Sequence, residues 1–224
     1  MDTATNNAMI QPYSPDWFKL RQGTFTASEI YKLMGEPRSA KDKKEGNLSQ
    51  TADTYILEKV HEKITGITKS GVSNYATEWG IEHEPLAATW YGKITGHDVQ
   101  DSFLVFHPDI EGFSCTPDKF VNLDGLCEIK CPVNGANHFK HCMITSDEYF
   151  KQEHPNYFWQ CVAQMVITGR EWCDFVSFDP RVDTKLGLFI YRLHFNIEDA
   201  TLLVEKVEKA RELFNNYLAI FGNK

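Results

Sequence analysis

The chain has 224 residues, 42% hydrophobic and 24% charged, with a formal net charge of −8, proportions that exclude a disordered or collagen-like chain. No run approaches the ~20 consecutive apolar residues of a membrane helix, and the opening MDTATNNAMIQ has no basic stretch leading into an apolar one, so neither a membrane span nor a signal peptide is expected. The acidic balance excludes an open surface that grips nucleic acid by charge alone, yet leaves room for a nuclease whose own acids add negative charge.

The length suits one domain over 1–224, with the first dozen residues frayed. A helix is expected from Thr26, where TASE reads as a capping box with Thr26 as cap and Glu29 three residues on; Gly35 and Pro37 end it. The run PRSAKDKKEG gathers Arg38, Lys41, Lys43 and Lys44, either a local basic surface or a solvated loop. A second helix covers 51–64 and stops at Gly66, and 78–91 reads as helical from Pro85 onward, since proline suits a first turn. Strands are expected at 103–106, 112–121, 126–131, 173–178 and 187–195. A helix over 155–168 lies between the third and fourth of these. The last helix, 197–221, carries Ala200, Leu203, Val207, Ala210, Phe214, Tyr217 and Phe221 at helical spacing. Strands interleaved with helices predict an α/β fold, a mixed central sheet flanked by helices.

Six cysteines lie at 115, 127, 131, 142, 161 and 173, without any C-x-x-C pair. That scatter predicts reduced, buried thiols of a cytoplasmic protein, not a metal site or disulfide framework.

The stretch TPDKFVNLDGLCEIKC (116–131) holds the chemistry. Glu128 and Lys130 interrupt Leu126, Cys127, Ile129 and Cys131, so the two charges are expected to share one face of a strand and the apolar set to take the other. A turn at NLDG (122–125) would return Asp118 close to Glu128. Two carboxylates and the Ile129 carbonyl suit a hard divalent cation such as Mg²⁺, which takes oxygen ligands and keeps several waters. Lys130 would orient or deprotonate a water and stabilise a phosphate in flight. On the 155–168 helix, Tyr157, Gln160 and Gln164 form one polar stripe, facing either water or this site.

Several ordered blocks carry a resemblance: LRQGTFTASE (20–29), PRSAK (37–41), WGIEHEP (79–85), CTPDKF with LCEIKCP (115–132), YFWQCVAQ (157–164) and FDPR (178–181). Through them the chain resembles, over about 16–221, the phage lambda exonuclease and viral recombinase (YqaJ-type) nucleases, a branch of the restriction-endonuclease-like superfamily. The resemblance implies a restriction-endonuclease-like core in which Asp118, Glu128 and the Ile129 carbonyl hold Mg²⁺. Mn²⁺ would substitute and Ca²⁺ inhibit. It implies Lys130 as the catalytic lysine, Glu84 as an acid completing the metal environment, and Gln160 as an active-site glutamine. Arg21, Ser28 and Arg38 fall where the family binds the 5′-phosphate of a duplex end; a helix start would favour that anion independently.

The implied activity is a processive, Mg²⁺-dependent 5′-to-3′ exonuclease on double-stranded DNA ends. It would release mononucleotides and leave a 3′ single-stranded tail for a single-strand annealing protein. A homotrimeric ring around the DNA is implied too, which accommodates the acidic charge because a ring retains DNA by topology. The setting implied is the cytoplasm of a bacterial host, with a phage or prophage gene. The chain departs from the family pattern at Thr77, near the place of an apolar strand-parting residue, and at Pro85, directly after Glu84. The rival readings are an endonuclease of the same superfamily and a non-catalytic DNA-end-binding protein.

Overall fold

The computed structural model describes residues 10–68, 75–183 and 185–222. Helix α1 (Pro15–Leu20) begins on Ser14, whose hydroxyl accepts from the Trp17 N–H. Strand β1 (Phe25–Thr26) runs into a 3₁₀ turn over Ala27–Glu29 and then the one-turn helix α2 (Tyr31–Met34). The expected capping box at Thr26 does not form, because the Thr26 side chain makes no cap hydrogen bond. Glu29 turns instead to Lys32 at 2.5 Å and to Lys59 at 3.0 Å. The Lys59 side chain is only 8% exposed, and a buried ammonium demands a counter-charge more strongly than a backbone N–H demands a cap. Gly35 ends α2 as expected.

The basic run folds not as a loop but as the short helix α3 (Ala40–Glu45), with Lys41, Lys43 and Lys44 exposed. Helix α4 (Gln50–Thr65) stops at Gly66 in the left-handed conformation. Helix α5 (Tyr75–Thr95) corrects the expectation of a start at Pro85, since the proline sits inside it. Pro85 cannot donate to the Ile81 carbonyl, but both residues face solvent, where water can take that acceptor. Ala87, Ala88 and Tyr91 meanwhile bury against the sheet and hold the second half of the helix down.

Strands β2 (Val99–Asp101) and β3 (Val105–Phe106) follow. The expected single strand over 112–121 is two strands, β4 (Phe113–Cys115) and β5 (Lys119–Val121). Pro117 has no N–H for a ladder, and the chain changes sheets around it. After β6 (Gly125–Lys130) come α6 (Gly135–His141), α7 (Asp147–Glu153), α8 (Pro155–Thr168), β7 (Trp172–Phe178), β8 (Leu188–His194) and α9 (Ile197–Phe221).

Among the described residues the main sheet is five-stranded in the order β2-β5-β6-β7-β8, and a small sheet has the order β1-β4-β3. Pairing is antiparallel except for β6–β7 and β1–β4, so the sheet is mixed as expected. Leu126, Phe175 and Leu193 bury one face of the main sheet with Phe158, Val162 and Leu203 of α8 and α9. The opposite face, with Cys127, Ile129 and Val176, packs under α5. Each such apolar side chain contributes roughly 1.5–3 kcal/mol on burial. A buried polar tie fixes α5 further: Tyr91 donates to Asp174 at 2.6 Å, and Arg192 grips the same carboxylate at 2.7 and 2.8 Å. No described helix is long and apolar enough to cross a membrane. Of the residues expected to fray, 1–9 lie outside the described residues; Ile10 and Gln11 are tied in, accepting from Leu104 N–H and from Ser14.

Candidate active site

The β5–β6 register opposes Lys119 to Cys127 and Phe120 to Leu126, which sets Asp118, one residue before β5, level with Glu128. The Asp118 carboxylate accepts from the Ile129 N–H at 2.6 Å, locking it to the strand that carries Glu128. Alternation along β6 works as expected for Cys127, Ile129 and Cys131, all buried on the α5 side. Leu126 is the exception: it shares the face of Glu128 and Lys130 and joins the α8 core.

Glu128 is 1% exposed and would be untenable without partners. One oxygen accepts from Lys130 Nζ and from Gln160 Nε2, the latter at 2.6 Å; the other accepts from Gln164 Nε2 at 2.6 Å. The polar stripe of α8 therefore points inward. Gln160 and Gln164 are one turn apart on a helix that is buried on nearly all sides, and Tyr157 lies one turn earlier. The Tyr157 ring sits 5.3 Å from Lys130 Nζ and stacks on Phe175, flooring the lysine with a π-face.

Burial and the nearby Glu128 push the Asp118 pKa well up. Burial also raises Glu84, helped by Glu128, although Lys119 and Lys130 pull the other way. Burial alone would lower the Lys130 ammonium, but Glu128 and Asp118 outweigh it and hold it protonated. A cavity of about 310 Å³ opens beside these acids, lined by Tyr13, Trp17, Glu84, Ser102, Asp118 and Lys119.

Among the described residues no three His, Cys, Asp or Glu side chains converge into a metal cage. The donors present are instead carboxylate oxygens, Asp118 and Glu84 lining the cavity and Glu128 level with Asp118 on the next strand. That set fits a hard cation that keeps waters, such as Mg²⁺, and suits no soft metal. Three donors already occupy Glu128, leaving it limited free lone-pair capacity.

The three residues expected at a 5′-phosphate are less tightly gathered. Arg21 lies over the Trp17 ring, 3.8 Å from its centroid, and burial lowers its pKa while Glu29 and Tyr55 support the charge. Ser28 is exposed on the 3₁₀ turn, its hydroxyl 3.4 Å from that of Thr26. The Tyr55 hydroxyl accepts the Thr26 N–H at 3.3 Å and helps support the Arg21 charge, so Arg21 and the Ser28 turn share one neighbourhood. Arg38 is exposed and lines a different cleft with Glu36, Ser39 and Asp42.

Sequence reading missed Trp17, which donates to Thr116 at 2.9 Å and carries Arg21. Its spacing of four residues from Arg21 in WFKLR was the available signal. Tyr13, in the cavity wall, gave no such signal.

The YqaJ-like viral recombinase domain matches residues 16–171. An alkaline exonuclease from Laribacter hongkongensis is 30% identical over 94% of this chain and 97% of that chain, with a TM-score of 0.77. The same exonuclease in complex with dAMP gives the same values. A phage-related exonuclease from Haemophilus somnus, 18% identical over 88% of this chain and 95% of that chain at a TM-score of 0.71, shares the fold. No curated protein matches the chain. The domain match spans well over half of the sequence and contains Arg21, Glu84, Asp118, Glu128, Lys130 and Gln160, and the chain belongs to the YqaJ-like viral recombinase family.

Proposed function

We propose that this protein is a Mg²⁺-dependent exonuclease that degrades double-stranded DNA processively, 5′ to 3′, from 5′-phosphorylated ends. The observation that carries the reading is the convergence of Asp118, Glu128 and Lys130 with two glutamines from α8, in a chain of this family. The exonuclease neighbours support it, and the dAMP bound to one of them is in keeping with mononucleotide release.

A Mg²⁺ held by Asp118, Glu128 and the Ile129 carbonyl would neutralise charge on the scissile phosphate and acidify a water. Gln160 and Gln164 fix both oxygens of Glu128 in one rotamer, so no reorganisation is needed when substrate arrives. Lys130, kept cationic by the acids around it, stabilises negative charge developing at phosphorus. Glu84 adds a third carboxylate across the cavity, with a raised affinity for a proton that suits proton traffic at the site. Arg21 and Ser28 hold the terminal phosphate and so select the 5′ end, and Arg38 adds positive charge from a separate exposed cleft. The 3′ tail left behind is a substrate for a single-strand annealing protein, as fits a phage or prophage gene. A homotrimeric ring explains retention of DNA by an acidic protein.

The deciding assay compares linear with covalently closed duplex in Mg²⁺. Acid-soluble nucleotide released only from linear DNA is expected; nicking or cutting of closed circles would make the protein an endonuclease, and no release from either would make it an end-binding protein.

A further inference from the structure

Tyr13 has a φ of 64°, in the left-handed region. Among the described residues the other non-glycine with positive φ is Asn122, a residue type that tolerates it, in the β5–β6 turn. A tyrosine is disfavoured there, because its Cβ crowds the backbone. The chain is pinned on both sides to keep it so. The Gln11 carbonyl accepts from the Ser14 hydroxyl at 2.8 Å, the Ile10 carbonyl accepts from the Leu104 N–H at 3.2 Å, and Ser14 caps α1.

This conformation does not serve burial, since the side chain is 64% exposed. It directs the ring into the wall of the cavity that holds Glu84 and Asp118. One edge leans on Trp17, with centroids 5.3 Å apart and planes at 41°, and Trp17 carries Arg21 on its face. The ring thus rests on the Trp17 platform of the guanidinium that would hold a terminal phosphate, and lines the cavity of the acids that would act on the next phosphodiester. What hangs between two consecutive phosphates is one sugar and one base.

We propose that Tyr13 is a positioning residue that stacks on the base of the 5′-terminal nucleotide and holds that nucleotide in register with Asp118 and Glu128. The proposal rests on the end-directed exonuclease reading above. A stack reads the π-face that every base shares, so Tyr13 contributes grip without sequence preference. The fit to a base follows from the exposed, tilted ring, and not from any hydrogen bond of its hydroxyl.

The test uses the full-length protein and 5′-phosphorylated linear duplexes whose terminal nucleotide is either normal or abasic. Wild type should show a KM roughly tenfold higher on the abasic end, the scale of one base–aromatic stack. Tyr13→Phe should keep that ratio, and Tyr13→Ala should bring it close to one by raising KM on the normal end alone. Tyr13→Gly separates folding from stacking, because glycine relieves the left-handed strain. It should melt no lower than wild type and still lose the discrimination. With 2-aminopurine at the terminus in EDTA, emission from the saturated Tyr13→Ala complex should exceed that from wild type, which reads the stack without cleavage. Equal abasic discrimination in wild type and Tyr13→Gly, or matching emission, would overturn the proposal. Absence of cleavage in wild type, with the emission difference intact, would strike the exonuclease reading alone.

Discussion

Gln164 donates to one oxygen of Glu128 at 2.6 Å, and it does so from one turn beyond Gln160, which donates to the other oxygen at the same distance. The two amides hold both oxygens of the buried carboxylate, and Lys130 Nζ shares one of them with Gln160. The core helix thereby fixes the orientation of Glu128.

The first expectation follows directly. Gln164→Ala should lower kcat/KM by about 10–100-fold, the usual cost of removing a group that orients a metal-binding carboxylate. Gln164→Glu should do worse, because it buries a second carboxylate against Glu128. Steady-state release of acid-soluble nucleotide across a Mg²⁺ titration checks this, with the Ala variant also needing more Mg²⁺. A Gln164→Ala enzyme of normal activity would return Gln164 to a purely structural role.

Lys130→Ala should reduce the cleavage rate by roughly 10²–10³-fold, the loss seen when one preorganised donor to transition-state charge is removed. Affinity for a linear duplex end, measured by anisotropy in Ca²⁺, should stay near wild type, since Ca²⁺ is expected to fill the site without turnover. Equal losses of binding and rate would make Lys130 an ordinary phosphate contact.

Asp118→Ala or Glu128→Ala should abolish cleavage, while Asp118→Asn should be inactive and at least as stable as wild type. The Asp118 pKa is raised in the fold, so the native state binds a proton more readily than the unfolded chain does. Metal-free wild type should therefore lose stability as pH rises from the unfolded carboxylate pKa of about 4 toward the raised folded value. The Asn variant keeps an acceptor for the Ile129 N–H and has no charge to bury. Thermal melts in EDTA at several pH values, compared between the two proteins, measure the difference. A sharply lower melting temperature for Asp118→Asn would contradict it.

His141 gives a pH dependence of the opposite sign. Its ring is buried, and burial, with His154, His138 and Lys130 nearby, lowers its pKa to about 3. His138 Nε2 faces the Leu186 carbonyl, so it carries the proton and leaves Nδ1 to accept from Ser177; His141 Nδ1–H then donates to the same hydroxyl. A depressed histidine pKa contributes stability that is complete above the unfolded value of about 6.5 and lost as pH falls toward the folded one. Relative to His141→Gln, wild type should lose melting temperature progressively between pH 7 and pH 5. An unchanged slope in the variant would assign the acid sensitivity elsewhere.

Arg21→Ala should shrink the preference for 5′-phosphorylated over 5′-hydroxyl duplex by about 1.5–3 kcal/mol, the range for hydrogen bonds to charged groups. The guanidinium is presented by Trp17, so Trp17→Leu should weaken the same preference without touching the metal dependence. Competing rates on the two kinds of end settle it; wild-type rates equal on both would dismiss the phosphate pocket.

Sequence alone determined the elements whose signals are local. The 155–168 and 197–221 helices lie where capping, apolar spacing and glycine put them, and Gly66 stops α4. The period-2 pattern of β6 put Glu128 and Lys130 on one face, and the short β5–β6 turn brought Asp118 level with them, because a hairpin register is set by a few neighbouring residues. Tertiary structure alone decided the rest. Pro85 lies inside α5 because Ala87, Ala88 and Tyr91 gain enough by packing on the sheet to offset one missing hydrogen bond. The capping box at Thr26 lacks its return bond because the Glu29 carboxylate goes to Lys32 and Lys59 and the Thr26 N–H to Tyr55. Whether Gln160 and Gln164 faced water or Glu128, and whether Tyr13 met the cavity, depended on which surface lay opposite. That is a matter of long-range packing, to which the spacing of residues along one helix or loop is blind.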